Sequence, residues 1–314
     1  MYTGIDIGGT KCAVLTADQN GTILEKIKFP TTTVNETIAN IIDGVRKLGC
    51  SDAIGISCGG PLDSKKGIIL SPPNLPGWEE IPIVQILEDE FQVPVAIQND
   101  ANACALAEWK FGAGRGCENM VFLTFGTGLG AGLILNGQLY SGTNDMAGEA
   151  GHIRLTEFGP VGYGKAGSFE GYCSGGGIAK IAQTIATEYL QMGKTVDFCN
   201  AFDELPSISA KDVAESALKG DPAAIRVYDI CAEKLGAGLS VLIDILNPER
   251  IVLGSIFQRS EHLLRKKMQE VIDRETLSFS NQVCQVVPAE LGDSIGDVAA
   301  ISVAMLAEQK GGLQ

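Results

Sequence analysis

Residues 120–140 repeat, in order, the layout of residues 2–29. In the first copy, MYTGIDIGGT carries apolar residues to a single acid, Asp6, and then to Gly8-Gly9-Thr10. Residues 11–16 continue as a second strand, Asn20-Gly21 marks a hairpin, and 22–29 return as a third strand. In the second copy, 120–125 is an apolar strand and Gly126-Thr127-Gly128 a glycine turn; 129–135 is a strand, Asn136-Gly137 a hairpin and 138–140 the return. A chain that opens two halves with the same three-stranded meander is constrained to two related lobes. Two glycine turns can bring backbone N–H groups close to a polyphosphate from both sides. Neither GxGxxG after the first strand nor GxxxxGK[ST] is present, which excludes the dinucleotide and Walker types of phosphate loop.

Between and after the meanders, helices alternate with strands. The periodicity predicts helices over 36–48, 84–91, 100–111, 174–189, 210–218, 223–246, 261–274 and 295–309, and strands over 53–57, 93–98, 250–253 and 282–287. Four prolines and Gly77 make 71–82 an ordered loop. This is an α/β pattern, and 314 residues suggest about two domains. The expected boundaries are a first lobe, 1–118, with the C-terminal helix 295–314 packing back on it, and a second lobe, 119–294. A net charge of −14 argues against a nucleic-acid or anionic-membrane surface. No apolar run reaches the roughly 18 residues of a membrane span, and no leader pattern precedes Tyr2. Nine scattered cysteines without CxxC suit buried free thiols in a reducing, cytoplasmic setting.

On their own, several residues stay two-sided. Asp6 is either a metal-holding acid beside a phosphate or a hairpin acid. Asp100, at a strand-to-helix junction, is either a general base or a helix cap, and Asn99 competes for the cap. Glu149 and His152, three apart, share a face on a helical turn, yet His152 also reads as a hydrogen-bonded core histidine. His262 lies on a charged amphipathic helix and is given no role.

GIDIGGTK at 4–11, NDANA at 99–103, TFGTGLGAGL at 124–133 and AGEAGH at 147–152 occur in that order, joined by SPPNLPGW at 71–78 and LNPERIVLG at 246–254. Together they resemble the ROK family of sugar kinases over essentially the whole chain. The resemblance implies a two-lobed actin/hexokinase-like (ribonuclease H-like) α/β fold with a duplicated βββαβα core, closing over its sugar. It implies ATP and Mg²⁺ as cofactors, and phosphate transfer to a hexose or N-acetylhexosamine, with the 6-hydroxyl as default. By the same resemblance Asp100 is the base and Asp6 holds hydrated Mg²⁺. Gly8, Gly9, Thr10 and Lys11 cradle phosphates from one lobe, Gly126, Thr127 and Gly128 from the other, and Gly254 approaches the adenosine. Gly60, Asn74, Asn99, Asp100, Glu149, His152 and Glu170 read the sugar. A cytoplasmic homodimer is expected on the same ground.

Some members are repressors with an N-terminal helix-turn-helix; a first strand at the second residue leaves no room for one here. A sugar-sensing protein that kept the fold and lost turnover is the alternative. An acyl phosphotransferase ranks lower, since Glu149, His152 and Glu170 suit a polyol better than a carboxylate. Two departures stand out. Ser255 replaces the second glycine of the family's adenosine pair, which predicts a narrower nucleotide pocket. Where many members carry CxCGxxGCxE, this chain has VGYGKAGSFE at 161–170, with Val161, Tyr163 and Ser168 at the cysteine positions. Without those thiolates a tetrahedral zinc site cannot form, so no zinc is expected, and packing by Val161, Tyr163 and Phe169 is expected to hold the loop.

Overall fold

The structure is a computed structural model and describes residues 1–49 and 51–311. In chain order the first half comprises β1 (Tyr2–Ile7), β2 (Lys11–Ala17), β3 (Ile23–Pro30), α1 (Val34–Leu48) and β4 (Ala53–Cys58). The short ribbon β5 (Leu62–Asp63) and β6 (Ile68–Ile69) follows, then α2 (Ile83–Phe91), β7 (Val95–Asn99) and α3 (Asp100–Phe111). The second half opens with β8 (Met120–Phe125), β9 (Leu129–Leu135) and β10 (Gln138–Leu139). It continues through β11 (Val161–Gly162), β12 (Lys165–Ala166), α4 (Phe169–Tyr172), α5 (Gly175–Gln191), α6 (Ala210–Leu218) and α7 (Pro222–Leu246). It ends with β13 (Arg250–Leu253), α8 (Ile256–Glu275), α9 (Ser278–Val283), β14 (Gln285–Pro288) and α10 (Ile295–Gly311).

The repeat is carried into topology. One sheet has the order β3-β2-β1-β4-β7 and the other β10-β9-β8-β13-β14. In the first, β1–β3 form the antiparallel meander and β4 and β7 add in parallel. In the second, β13 pairs in parallel with both β8 and β14. This is the duplicated actin/hexokinase-like α/β core. The parallel strands β1 and β4 are buried almost along their whole length, because crossover helices cover the sheet.

The chain divides into two compact units: residues 1–118, 132–147 and 290–314, and residues 119–131 and 148–289. This differs from the expected lobes in giving 132–147 to the first unit and in returning to it at 290. In the first unit, Ile5, Ile7, Val14, Ile54, Ile56 and Ile97 form the sheet's part of the core, and Ile41 and Val45 bring α1 onto it. Leu75 and Trp78, each 1% exposed, anchor the proline-rich loop in the same core. Asn74 is left exposed between them and β1.

Two expectations are corrected. The strand expected over 282–287 is β14 at Gln285–Pro288, preceded by α9. The register of β14 with β13 begins only at Gln285, and before it Asn281 N donates to the Leu277 carbonyl at 3.0 Å in a helical turn. The helix expected from 261 begins at Ile256, because buried Phe257 seats an extra turn ahead of a kink at Ser260. Among the described residues eight cysteines are free, six of them buried; Cys50 lies outside the described residues. Among the described residues no helix is long and apolar enough to cross a membrane.

Candidate functional site

In the first unit the register decides what meets. Ile7 on β1 pairs with Cys58 on β4, and Cys58 with Asn99 on β7. The three parallel strands therefore end together, and Asp6 with the Gly8–Lys11 turn, Gly59-Gly60 and Asn99-Asp100 share one edge, where ligands of open α/β sheets bind. The turn closes through Gly8 N donating to the Lys11 carbonyl at 3.1 Å. Thr31 Oγ1 donates to the Gly8 carbonyl at 2.6 Å. Gly9 must be glycine: a Cβ there would lie 2.4 Å from the Asn74 carbonyl oxygen. The Asn74 side chain lies against Gly59, so the loop held by Leu75 and Trp78 delivers it to the same edge.

Asn99 is the N-cap of α3, its Oδ1 accepting from Asn102 N at 2.8 Å. That removes the capping duty from Asp100. Asp100 is an exposed residue by accessible surface, with protein packed around its carboxyl. Burial pushes its carboxyl above the usual carboxylate range, opposed by the Ala101 amide, which donates to Oδ1 at 2.9 Å. Asp6 is pushed up to about 6, first by burial and next by the neighbouring Asp297 carboxylate. Lys26, ion-paired with Asp297, and Lys11 oppose that shift, and Asp100 adds to it. Asp297, in the first turn of α10, was not singled out from sequence. Only the return of the last helix to the first sheet puts it beside Asp6.

In the second unit the Gly126-Thr127-Gly128 turn closes through Gly126 N donating to the Gly128 carbonyl at 3.1 Å. Gly175 N donates to the Gly126 carbonyl at 2.8 Å, which ties the turn to the N-terminus of α5. A cavity of about 750 Å³ opens there, lined by Thr127, Gly175 and Gly176, with Ile208, Leu218 and Ile256 as apolar wall and Lys211 and Arg259 as cations. It combines a helix N-terminus, glycine amides and positive charge with an apolar slot, which suits a nucleotide. Sequence reasoning passed over Gly175 and Gly176, although a capping serine followed by three glycines at a helix start was legible as an anion-binding signal. The cavity wall comes from α6 and α8 and carried no local signal.

Gly254 stands at the end of β13, its N donating to the Leu123 carbonyl at 3.0 Å. Ser255 has φ +51 and ψ −102, and Phe257 N donates to the Gly254 carbonyl at 3.2 Å. This is the first central position of a type II′ turn, which favours glycine. Ser255 does not line the cavity; its hydroxyl faces Gly126.

Glu149 caps a 3₁₀ turn over Ala150–His152, and His152 N donates to the Glu149 carbonyl at 3.1 Å. Residues i and i+3 eclipse on such a turn, so both exposed side chains share a face. His152 is an exposed residue, not a core one. Glu170 Oε2 accepts from Leu129 N at 3.0 Å and sits over Gly128, coupling this group to the Gly126-Thr127-Gly128 turn.

The 161–170 loop is held differently from expectation. Val161 and Tyr163 are 44% and 82% exposed and do not pack; only Phe169 is buried. Tyr163 (φ +41) and Gly164 (φ +75) form the tight turn between β11 and β12. Ser168 caps α4, accepting from Gly171 N at 3.1 Å. Arg154 donates to the Ala166 carbonyl at 2.8 Å, and the Tyr172 hydroxyl meets Thr156 Oγ1 at 2.9 Å. Among the described residues no cluster of His, Cys, Asp or Glu is arranged to hold a metal.

These units have relatives. The sequence pattern of the ROK family matches residues 2–309. A protein named glucokinase from Halalkalibacterium halodurans is 34% identical over 309 residues, covering 94% of this chain and 92% of that one. The crystal structure of a ROK family glucokinase from Streptomyces griseus, in complex with glucose and AMPPNP, superimposes with a TM-score of 0.76 at 31% identity, covering 97% of this chain and 99% of that one. A ROK hexokinase from Thermus thermophilus gives 0.80 at 28% identity over 99% of each chain. With the pattern matched almost from end to end and the duplicated core in place, the chain belongs to the ROK family.

Proposed function

We propose that the protein is an ATP-dependent sugar kinase that transfers the γ-phosphoryl group to a hexose or N-acetylhexosamine, at the 6-hydroxyl. The observation that supports this most is the meeting of Asp6, the Gly9 turn and Asn99-Asp100 at one sheet edge, with Asp100 released from capping and made more basic by burial. Phosphoryl transfer needs positioning and charge neutralisation more than covalent help. Asp100 accepts the hydrogen bond of the sugar hydroxyl and takes its proton as the new O–P bond forms and the bond to ADP breaks; a general base supplies about 10²–10⁴ in rate. Asn99 spends its oxygen on the cap and keeps its amide nitrogen for the sugar. Gly60, Asn74, Glu149, His152 and Glu170 complete the hydroxyl contacts. A missing partner at a buried polar site is costly, which is how such a site discriminates.

Thr127 and the amides opening α5 take phosphate, and the Ile208, Leu218 and Ile256 wall takes the base, with Gly254 nearby. The turn of Gly8, Gly9, Thr10 and Lys11 is a phosphate-binding turn in this reading. Asp6 fits a hard cation: it is an oxygen ligand, largely buried, beside a second carboxylate, and a Mg²⁺ held there through water would neutralise phosphate charge. His152 without three thiolates does not fit zinc, and elemental analysis of the untagged protein finding stoichiometric zinc would overturn that. Family likeness and free thiols support a cytoplasmic homodimer, checked by light scattering.

ADP release from MgATP across a sugar panel tests the reading. A sugar-dependent signal that falls at least ~100-fold in Asp100→Asn, with sugar binding kept, supports it. A tenth or more of wild-type kcat in that variant removes Asp100 as base. Silence across the panel with sugar binding intact favours the sensing alternative.

A further inference from the structure

A second cavity, of about 690 Å³, lies wholly within the first unit and contains none of the residues assigned above. Its lining includes Trp109 and Lys110 on α3, Gln98 on β7, Tyr140, Lys65 and Leu306. Gln98 is 3% exposed; its Oε1 accepts from Asn102 Nδ2 at 3.1 Å, and the residue lines the cavity with its amide. Lys110 is half-buried, its Nζ 5.8 Å from the Trp109 ring centroid, and it pairs with no carboxylate among the described residues. Burial holds its ammonium below the usual lysine range, the mark of a cation lacking a counter-charge. Lys65 Nζ reaches the Thr143 carbonyl at 3.1 Å at the same rim. The one carboxylate on the wall, Asp145, is taken up by Ser64, which donates from both N and Oγ at 2.7 Å. In a chain of net charge −14, a cavity whose available groups are cations, an amide donor and aromatic faces is a local exception.

We propose that this cavity is an effector site for a small phosphorylated polyol. The phosphate pairs with Lys110 and Lys65, the Gln98 amide donates to a hydroxyl, and the apolar face of the sugar ring packs on Trp109. The volume suits a hexose phosphate. The choice of a sugar phosphate rests on the kinase reading, since the product is of this class; the binding site itself does not. Gln98 immediately precedes Asn99 and Asp100, so an occupant here touches the strand and helix that carry the base.

Trp109 is one of two tryptophans, the other being the buried Trp78, so quenching of tryptophan fluorescence reports the site. Glucose 6-phosphate and inorganic phosphate are titrated into the whole protein and followed by fluorescence and calorimetry, on wild type, Lys110→Gln, Trp109→Phe and Asp100→Asn. Wild type and Asp100→Asn are expected to bind glucose 6-phosphate with a fluorescence change. Lys110→Gln is expected to lose about tenfold or more in affinity, the scale of one charge-assisted hydrogen bond, while sugar turnover stays within about twofold. Trp109→Phe is expected to lose the optical signal. The proposal is overturned if wild type binds neither probe at millimolar concentration, if Lys110→Gln binds as wild type does, or if inorganic phosphate binds as tightly as the sugar phosphate. Failure of the kinase reading shows separately, as absent sugar-dependent ADP release with binding at Lys110 intact.

Discussion

Asp6 carries a raised carboxyl, about 6 against an ordinary 3.8, because it is buried beside Asp297. The sign follows from proton uptake: between those values the native state holds a proton that the unfolded chain has lost, so stability falls as pH rises through roughly 4 to 6. A cation at the carboxylate reverses that loss. Thermal melts with and without Mg²⁺ should show a metal-induced rise in Tm that grows from pH 5 to 7.5, and Asp6→Asn should flatten both trends. Equal Mg²⁺ effects in the variant would remove Asp6 as the holder. Ser255 is the second residue-scale case. It occupies a turn position that favours glycine, and such strain costs about 1–3 kcal/mol. Glycine also brings chain entropy, about 0.5–1 kcal/mol. Ser255→Gly should therefore stabilise by about 1 kcal/mol, read as a higher midpoint in denaturant, whereas an unchanged or lower midpoint would show the serine to be held by something else.

Elements are set by small residues as much as by apolar ones. The last helix, α10, lies so close on β4 that a Cβ at Gly55 would fall 2.1 Å from Ala304 N and 2.2 Å from the Ala300 carbonyl. Those clashes are with backbone and cannot be relieved by a rotamer change. Gly55→Ala should cost about 3 kcal/mol, the upper end for overpacking, and lower Tm by several degrees; a loss under about 0.5 kcal/mol would mean the helix is free to lift. At the 161–170 loop, Ser168 caps α4 through its hydroxyl. Ser168→Ala should cost about 1 kcal/mol, seen as faster proteolysis within 154–172 before global unfolding.

At the scale of the molecule, the first unit is sewn from three stretches of chain, 1–118, 132–147 and 290–314. The buried carboxylate of Glu108 shows the stitch: it accepts from Glu290 N and Leu291 N at 3.1 and 2.9 Å and from Ala113 N at 2.7 Å. A fragment 1–118 lacks α10, and the face of β1 and β4 carrying Gly4 and Gly55 is then bare. It should be insoluble or molten, and restoring 290–314 in trans should improve it. A soluble fragment with a cooperative melt would show that the first sheet folds without α10.

Much of this was legible beforehand because it is local. Glycine turns, Asn-Gly hairpins and helical periodicity act over a few residues, so the meanders, the crossover helices and the motif residues Asp6, Asp100, Thr127, Glu149 and Glu170 could be read in order. The duplication itself is a pattern in the chain. Three things depended on contacts distant in sequence. Parallel register, set by whole strands, decided that Asp6 and Asp100 share an edge. The return of the last helix put Asp297 and Lys26 beside Asp6 and closed the core over Gly55. The packing of α6 and α8 shaped the cavity beside Thr127, and that of α3 against 137–142 the second one. Neither cavity exists in any single segment, because a concave surface is made only where separate elements fail to touch.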